Sequence, residues 1–145
     1  MELKIKEFGE LTAEELFRIY RIRSEVFVAE QQSPYQDVDD GDLRALHIWL
    51  EEDGQLEAYA RLLPPGTSFS ECAIGRVVSR ARGRGTGTLI MQAAISEAEK
   101  RYSPGRIRIE AQVQAEDFYR RFGFVRSSEP FDDAGVLHVE MIKEI

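Results

Sequence analysis

Leu3 and Ile5 alternate with charged neighbours at the start of the chain, a period of two that predicts a strand running toward Glu7-Phe8. The period then changes. Leu16, Ile19, Tyr20, Arg23, Val26 and Phe27 recur at helical spacing, and Thr12 with Glu15 three residues on has the form of a capping box. A helix of roughly four turns is expected there. Ser33-Pro34 stops it, and the aspartate-rich stretch from Gln36 to Leu43 reads as a loop. His47 to Glu51 and Leu56 to Leu63 are two apolar runs joined at Asp53-Gly54, a hairpin signal, and Pro64-Pro65-Gly66 closes the second.

Cys72 to Val78 is a further strand, and Thr86 to Tyr102 is a helix with Leu89, Ile90, Ala93, Ala94 and Ala98 on its apolar face. Pro104-Gly105 breaks that helix. Ile107 to Ala111 reads as a strand, Glu116 to Phe122 as a short helix stopped by Gly123, and Phe124-Val125 with Val136 to Ile142 as closing strands around Asp132-Asp133-Ala134-Gly135. The order β-α-β-β-β-α-β-α-β-β belongs to the α/β class, a mixed and mostly antiparallel sheet flanked by helices. With 145 residues and neither repeat nor linker, one domain spanning 1–145 is expected.

Composition narrows the partners. A net charge of −7 disfavours nucleic acid. No apolar run approaches the roughly 20 residues that span a bilayer, and the alternating start lacks the apolar stretch of a signal peptide. A lone Cys72 forms no intramolecular disulfide and fits a reducing compartment, so a cytoplasmic location is expected. Against the acidic background, Arg76, Arg80, Arg82 and Arg84 crowd into one short acid-free stretch. Such a patch is either a solvated loop or a seat for a small anion.

The glycines beside it favour the anion. Arg82-Gly83-Arg84-Gly85-Thr86-Gly87 lies between a β-branched strand and a helix, where glycines allow a tight turn and the helix N-terminus presents N–H groups. A P-loop is excluded because no lysine occurs between Lys6 and Lys100, and the alternate spacing of Gly83, Gly85 and Gly87 fails the dinucleotide fingerprint. What is present is Arg-x-x-Gly-x-Gly, at Arg82, Gly85 and Gly87, followed later by Phe118-Tyr119-Arg120-Arg121-Phe122-Gly123-Phe124.

In that order and on those elements, the two motifs resemble the GNAT acyltransferases. Nearly the whole chain shares in the likeness: Glu25 to Gln31, Pro34-Tyr35, Asp39, His47, Ala58 to Leu63, Ile74 to Val78, Ala111-Gln112 and His138 to Met141 are similar to the ElaA branch of the family. Val26-Phe27-Val28-Ala29-Glu30-Gln31 also resembles a stretch of acyl-homoserine-lactone synthases. The turn Ser79-Arg80-Ala81 is shorter than the family's usual form, and Gln114 and Leu137 stand where His and Pro are the family habit.

The resemblance implies acetyl-CoA as cosubstrate, no metal, and transfer of an acetyl group to an amine. It implies a V-shaped opening between the strands ending at Val78 and Ala111. Val77 and Val78 would pair with pantetheine and offer an N–H to the oxyanion, while Arg82, Gly83, Arg84, Gly85, Thr86, Gly87 and Thr88 would hold the pyrophosphate. Tyr119 matches the family's general acid, since a phenol is protonated at neutral pH and can donate to the leaving thiolate. Glu71 is the first candidate for the base: alternation sets it on one face with Ala73, Gly75 and Val77, where desolvation would raise its pKa. Glu30 and Glu110 are the alternatives. Glu30, Tyr35, His47, Gln112 and His138 are the candidate acceptor contacts. The histidines stand far apart in sequence, without metal-ligand spacing. A catalytically inactive CoA-binding sensor or partner-binding module is the competing reading. The residues do not fix an oligomeric state, and a homodimer is an option only because dimers are common among soluble oligomers.

Overall fold

The computed structural model describes residues 1–30, 36–80, 83–103 and 105–145, the side chains of 28–30 excepted. Thr12 caps helix α1 (Ala13–Arg23), accepting from the Glu15 N–H while the Glu15 carboxylate accepts from the Thr12 N–H. This is the predicted capping box. The helix does not continue in regular form: Ser24–Glu30 are wound as wider π turns, which leave Val26 and Phe27 partly buried against the core beneath α1. The aspartate-rich stretch is not all loop either, since Gly41–Arg44 form a short helix, α2.

Strands β1 (Glu2–Glu7), β2 (Leu46–Glu52), β3 (Gln55–Leu63) and β4 (Cys72–Ser79) are antiparallel neighbours in sequence order. Asp53 and Gly54 join β2 to β3 with φ of 53° and 76°, the left-handed pair that a two-residue hairpin needs. Helix α3 (Thr86–Tyr102) then crosses to β5 (Arg106–Gln112), which runs parallel to β4. Helix α4 (Glu116–Arg120) follows, and Gly123 at φ 94° ends it. The sheet closes with β6 (Val125–Arg126), β7 (Phe131–Asp133) and β8 (Val136–Glu144), the last antiparallel to β5. Its order is β1-β2-β3-β4-β5-β8-β6, with β7 also on β8. The acidic turn of the sequence pattern is thus a third short strand and a two-residue turn at Ala134-Gly135.

The sheet is a middle layer. Ile90, Met91, Ala94 and Ala98 of α3 pack on Ile48, Ala60, Leu62, Cys72, Ile74 and Ile109. On the opposite face Ile19 and Ile22 of α1 pack on Trp49, Leu56, Tyr59 and Val78. Burial of this apolar surface is the main stabilising contribution.

Two irregularities in β4 create the site. Tyr59 pairs with Val78 and Arg61 with Gly75, so Arg76 and Val77 together face Ala60 in a β-bulge, with Arg76 at φ 52°. The bulge reverses the alternation: Val77 joins Cys72 and Ile74 on the α3 face, while Val78 faces α1. Second, β4 and β5 are in register only at Cys72–Ile107 and Ala73–Arg108. Past those pairs the strands part.

Candidate active site

The parting of β4 and β5 opens a cleft of about 450 Å³ through the sheet. Strand alternation assigns its two mouths. On the α3–α4 side lie Gly87, Phe118 and Tyr119; on the α1 side lie Phe27, Glu110, Gln112 and His138; the bulge residues Arg76, Val77 and Val78 form the wall between. Phe118 and Tyr119 pack edge-on at 5.1 Å, and Tyr119 meets Phe124 at 6.4 Å. Burial pushes the Tyr119 hydroxyl up to about 12, so it is protonated at neutral pH.

The glycine turn opens onto the same side. Gly83 and Gly85 have φ of 83° and 74°, a conformation that a Cβ penalises, whereas Gly87 is helical and lies 3.5 Å (from the position a Cβ would take) from the Phe118 ring. Close contact, not a left-handed backbone, is what Gly87 serves. The first bond inside α3 is Leu89 N–H to the Gly85 carbonyl at 3.1 Å. The amides of Thr86, Gly87 and Thr88 therefore precede the helical ladder and face the end where anions are stabilised. The Thr86 hydroxyl shares a hydrogen bond with Ser79 across the turn. These groups fit a pyrophosphate. The flanking arginines contribute less than their number suggests: Arg76 pairs with Asp37 and Asp39, Arg80 with Glu25, and Arg84 with Glu52. Arg82 lies outside the described residues.

Glu71 does not have the surroundings expected of a base. It precedes β4 and receives two hydrogen bonds of 3.0 Å from Arg108, which hold its carboxyl down at about 2. It is not among the cleft residues, because it lies at the end where β4 and β5 are paired, and the cleft opens only past the Ala73–Arg108 pair. Glu110 is in the cleft. Desolvation, with the charges of Asp133 and Glu140 nearby, pushes its carboxyl up, against smaller opposing effects of His138 and Arg76.

The histidines also separate. His47 is fully buried outside the cleft: Nε2–H donates to the Asp42 carbonyl at 2.9 Å, and Nδ1 accepts from the Tyr59 hydroxyl at 2.7 Å. Burial lowers its pKa, so it is a neutral structural group rather than an acceptor contact. His138 lines the cleft, donates from Nδ1 to the Val136 carbonyl at 2.8 Å and stacks on Phe131. Gln112, its cross-strand partner, accepts from Gln114 at 2.9 Å. Tyr35 and the Glu30 side chain lie outside the described residues.

Sequence reasoning missed the bulge and the ion cluster behind it. Arg23, fully buried, donates to Asp37 and Asp42, and Arg61 to Asp39 and Asp42. The signal was the aspartate excess read as solvated loop. Four aspartates near two core-strand or helix arginines fit buried pairing equally well.

Residues 9–145 match the family described as acetyltransferase (GNAT) domain. The chain belongs to the GNAT family. A UPF0039 protein of Synechocystis is 38% identical over 140 residues, which cover 94% of this chain and 91% of that protein. Escherichia coli ElaA is 34% identical over 141 residues, covering 94% and 92%. Among solved structures, an acyl-CoA N-acyltransferase from Pseudomonas aeruginosa superposes with a TM-score of 0.92 at 36% identity over 99% of both chains. The ElaA structure superposes equally well, with a TM-score of 0.92 over 99% of both chains. The acyl-homoserine-lactone synthase LasI shares the fold alone, with a TM-score of 0.77 at 16% identity over 99% of this chain and 89% of that one. This GNAT member thus brings parts of its two family motifs together on the α3–α4 side of the cleft, Gly87 at the start of α3 and Phe118 and Tyr119 in α4.

Proposed function

We propose that the chain transfers an acetyl group directly from acetyl-CoA to a primary amine, with Tyr119 as general acid and Glu110 as general base. The observation that supports it is the two-mouthed cleft, with a protonated phenol on the α3–α4 side and a carboxylate of raised pKa on the α1 side. The turn from Gly83 to Thr88 would hold the pyrophosphate, with Arg82 beside it, and the backbone at Val77 and Val78 would carry pantetheine. An amide at the bulge is the donor for the oxyanion.

The amine enters from the α1 side as an ammonium and loses a proton to Glu110. Its nitrogen bonds to the thioester carbon while the carbon–sulfur bond breaks. The sulfur leaves as thiolate and takes the Tyr119 proton, and the second proton lost by the nitrogen restores the phenol. Ammonium and thioester give amide, thiol and one proton. Alignment of the two reactants supplies much of the acceleration. His138 and Gln112 line the acceptor side.

The test is release of free thiol from acetyl-CoA with a panel of amines, amino acids, polyamines and peptides, beside a CoA-binding titration. Thiol release with an acetylated product supports the reading. CoA binding without transfer to any acceptor would overturn it in favour of a CoA-binding module. Gly85→Val is expected to weaken CoA binding severely, because its left-handed backbone is lost to a β-branched residue.

A further inference from the structure

Arg76 is the residue that makes β4 irregular, and its side chain is held from outside the strand. Its backbone is left-handed at φ 52° in the bulge, a conformation that residues with a Cβ avoid. Such an outlier persists where its surroundings determine it. The Arg76 guanidinium donates to the Asp37 carbonyl from Nε at 3.2 Å and from Nη2 at 3.0 Å. It also lies 3.1 Å from the Asp37 carboxylate and 3.3 Å from that of Asp39. Asp37 is itself fixed, since Arg23 donates to its carboxylate at 3.0 Å and to its carbonyl at 2.7 Å. Asp42 joins Arg23 to Arg61, and Arg61 returns to Asp39.

Three arginines and three aspartates therefore tie α1, the segment before α2, and β3 to the bulge of β4. Their charges balance, and because Arg23, Asp37, Asp42 and Arg61 are buried, losing one of these would leave an uncompensated buried charge. We infer that Arg76 is a positioning residue, whose clamp on Asp37 holds the bulge so that an amide at Val77 or Val78 meets the carbonyl oxygen of the thioester. A bulge free to regularise would return the Val77 amide to the β3 ladder and shift Val78 in its pairing with Tyr59, since Ala60 now faces two residues. This inference rests on the acyl-transfer reading, but the clamp can be measured without it.

Arg76→Gly is the discriminating variant, because glycine keeps the left-handed backbone accessible while the clamp is lost. Since the Arg76 charge also lowers the Glu110 pKa, kcat is compared on the alkaline plateau of the pH profile, where Glu110 is ionised in both proteins. The expected result is a fall in kcat of about tenfold to a hundredfold, less than the loss of a whole oxyanion donor. KM for acetyl-CoA is expected to stay within about twofold, and the amide signals of Val77 and Val78 in nuclear magnetic resonance spectra to move. Arg76→Lys, which restores one cation beside Asp37, is expected to recover part of kcat. So is millimolar methylguanidinium added to Arg76→Gly. Parent kcat with unmoved Val77 and Val78 amides would overturn the clamp. So would a loss of kcat that only tracks a reduced folded fraction while those amides stay in place. A parent protein with no transferase activity would end the acyl-transfer reading instead, and the amide spectra would still decide the clamp.

Discussion

Glu71, just before β4, and Glu110, on the parallel neighbour β5, are the same residue type with opposite fates. Glu71 is tied to both ends of the Arg108 guanidinium and is held down at about 2. Glu110, two residues beyond Arg108 on β5, takes no share of that cation, because the third Arg108 bond goes to Glu140. Arg76, which does line the cleft, is committed to Asp37 and Asp39. What separates a structural carboxylate from a candidate base is therefore a close guanidinium in one case and desolvation beside Asp133 and Glu140 in the other.

The largest expected effect comes from the phenol across the cleft from Glu110. Tyr119→Phe keeps the edge-on packing with Phe118 and Phe124 and removes the proton. Turnover is expected to fall by about tenfold to a thousandfold with acetyl-CoA affinity retained. Equal turnover would leave Tyr119 a packing residue. Next comes Glu110→Gln, expected to lower turnover about tenfold to a hundredfold at neutral pH. Glu71→Gln is expected to leave turnover within about twofold, since the residue is remote from the cleft.

Glu71 is expected to show in stability instead. Its folded pKa is depressed, so its contribution is present above the usual value of 4.5 and is lost as pH falls toward about 2. Solvent screening keeps that contribution to about 1 kcal/mol or less. In denaturation followed by circular dichroism, the parent is expected to lose that contribution between about pH 4.5 and 2, whereas Glu71→Gln, which lacks it at every pH, starts less stable and falls less steeply over that range. An unchanged acid limb would mean that the Arg108 pair carries no net stability.

Much of this was legible in the chain. The capping box at Thr12, the hairpin at Asp53-Gly54 and the limits of α3 all follow from local chemistry, and each stands where the spacing put it. Glu71 misled because alternation gives a face and not a neighbour: it lies at the paired end of β4 and β5, against Arg108. Val77 misled because one extra residue in β4, marked only by Arg76, inverts the faces beyond it. His47 and the aspartates misled for a different reason: their partners, Tyr59, Arg23 and Arg61, come from other elements, and pairing of that kind depends on packing that local pattern does not encode.

The contrast between the two glutamates is tested most directly by the ratio of variant to parent rate across pH, measured side by side for Glu110→Gln and Glu71→Gln. A base with a raised pKa produces an acidic limb in the parent profile, and removing it matters least where the free amine already accumulates. For Glu110→Gln the ratio is expected to climb steadily from neutral toward alkaline pH, while for Glu71→Gln it stays flat and near one. A flat ratio for Glu110→Gln, with a rising one for Glu71→Gln, would contradict the assignment of the base and the path of the amine through the α1 side of the cleft.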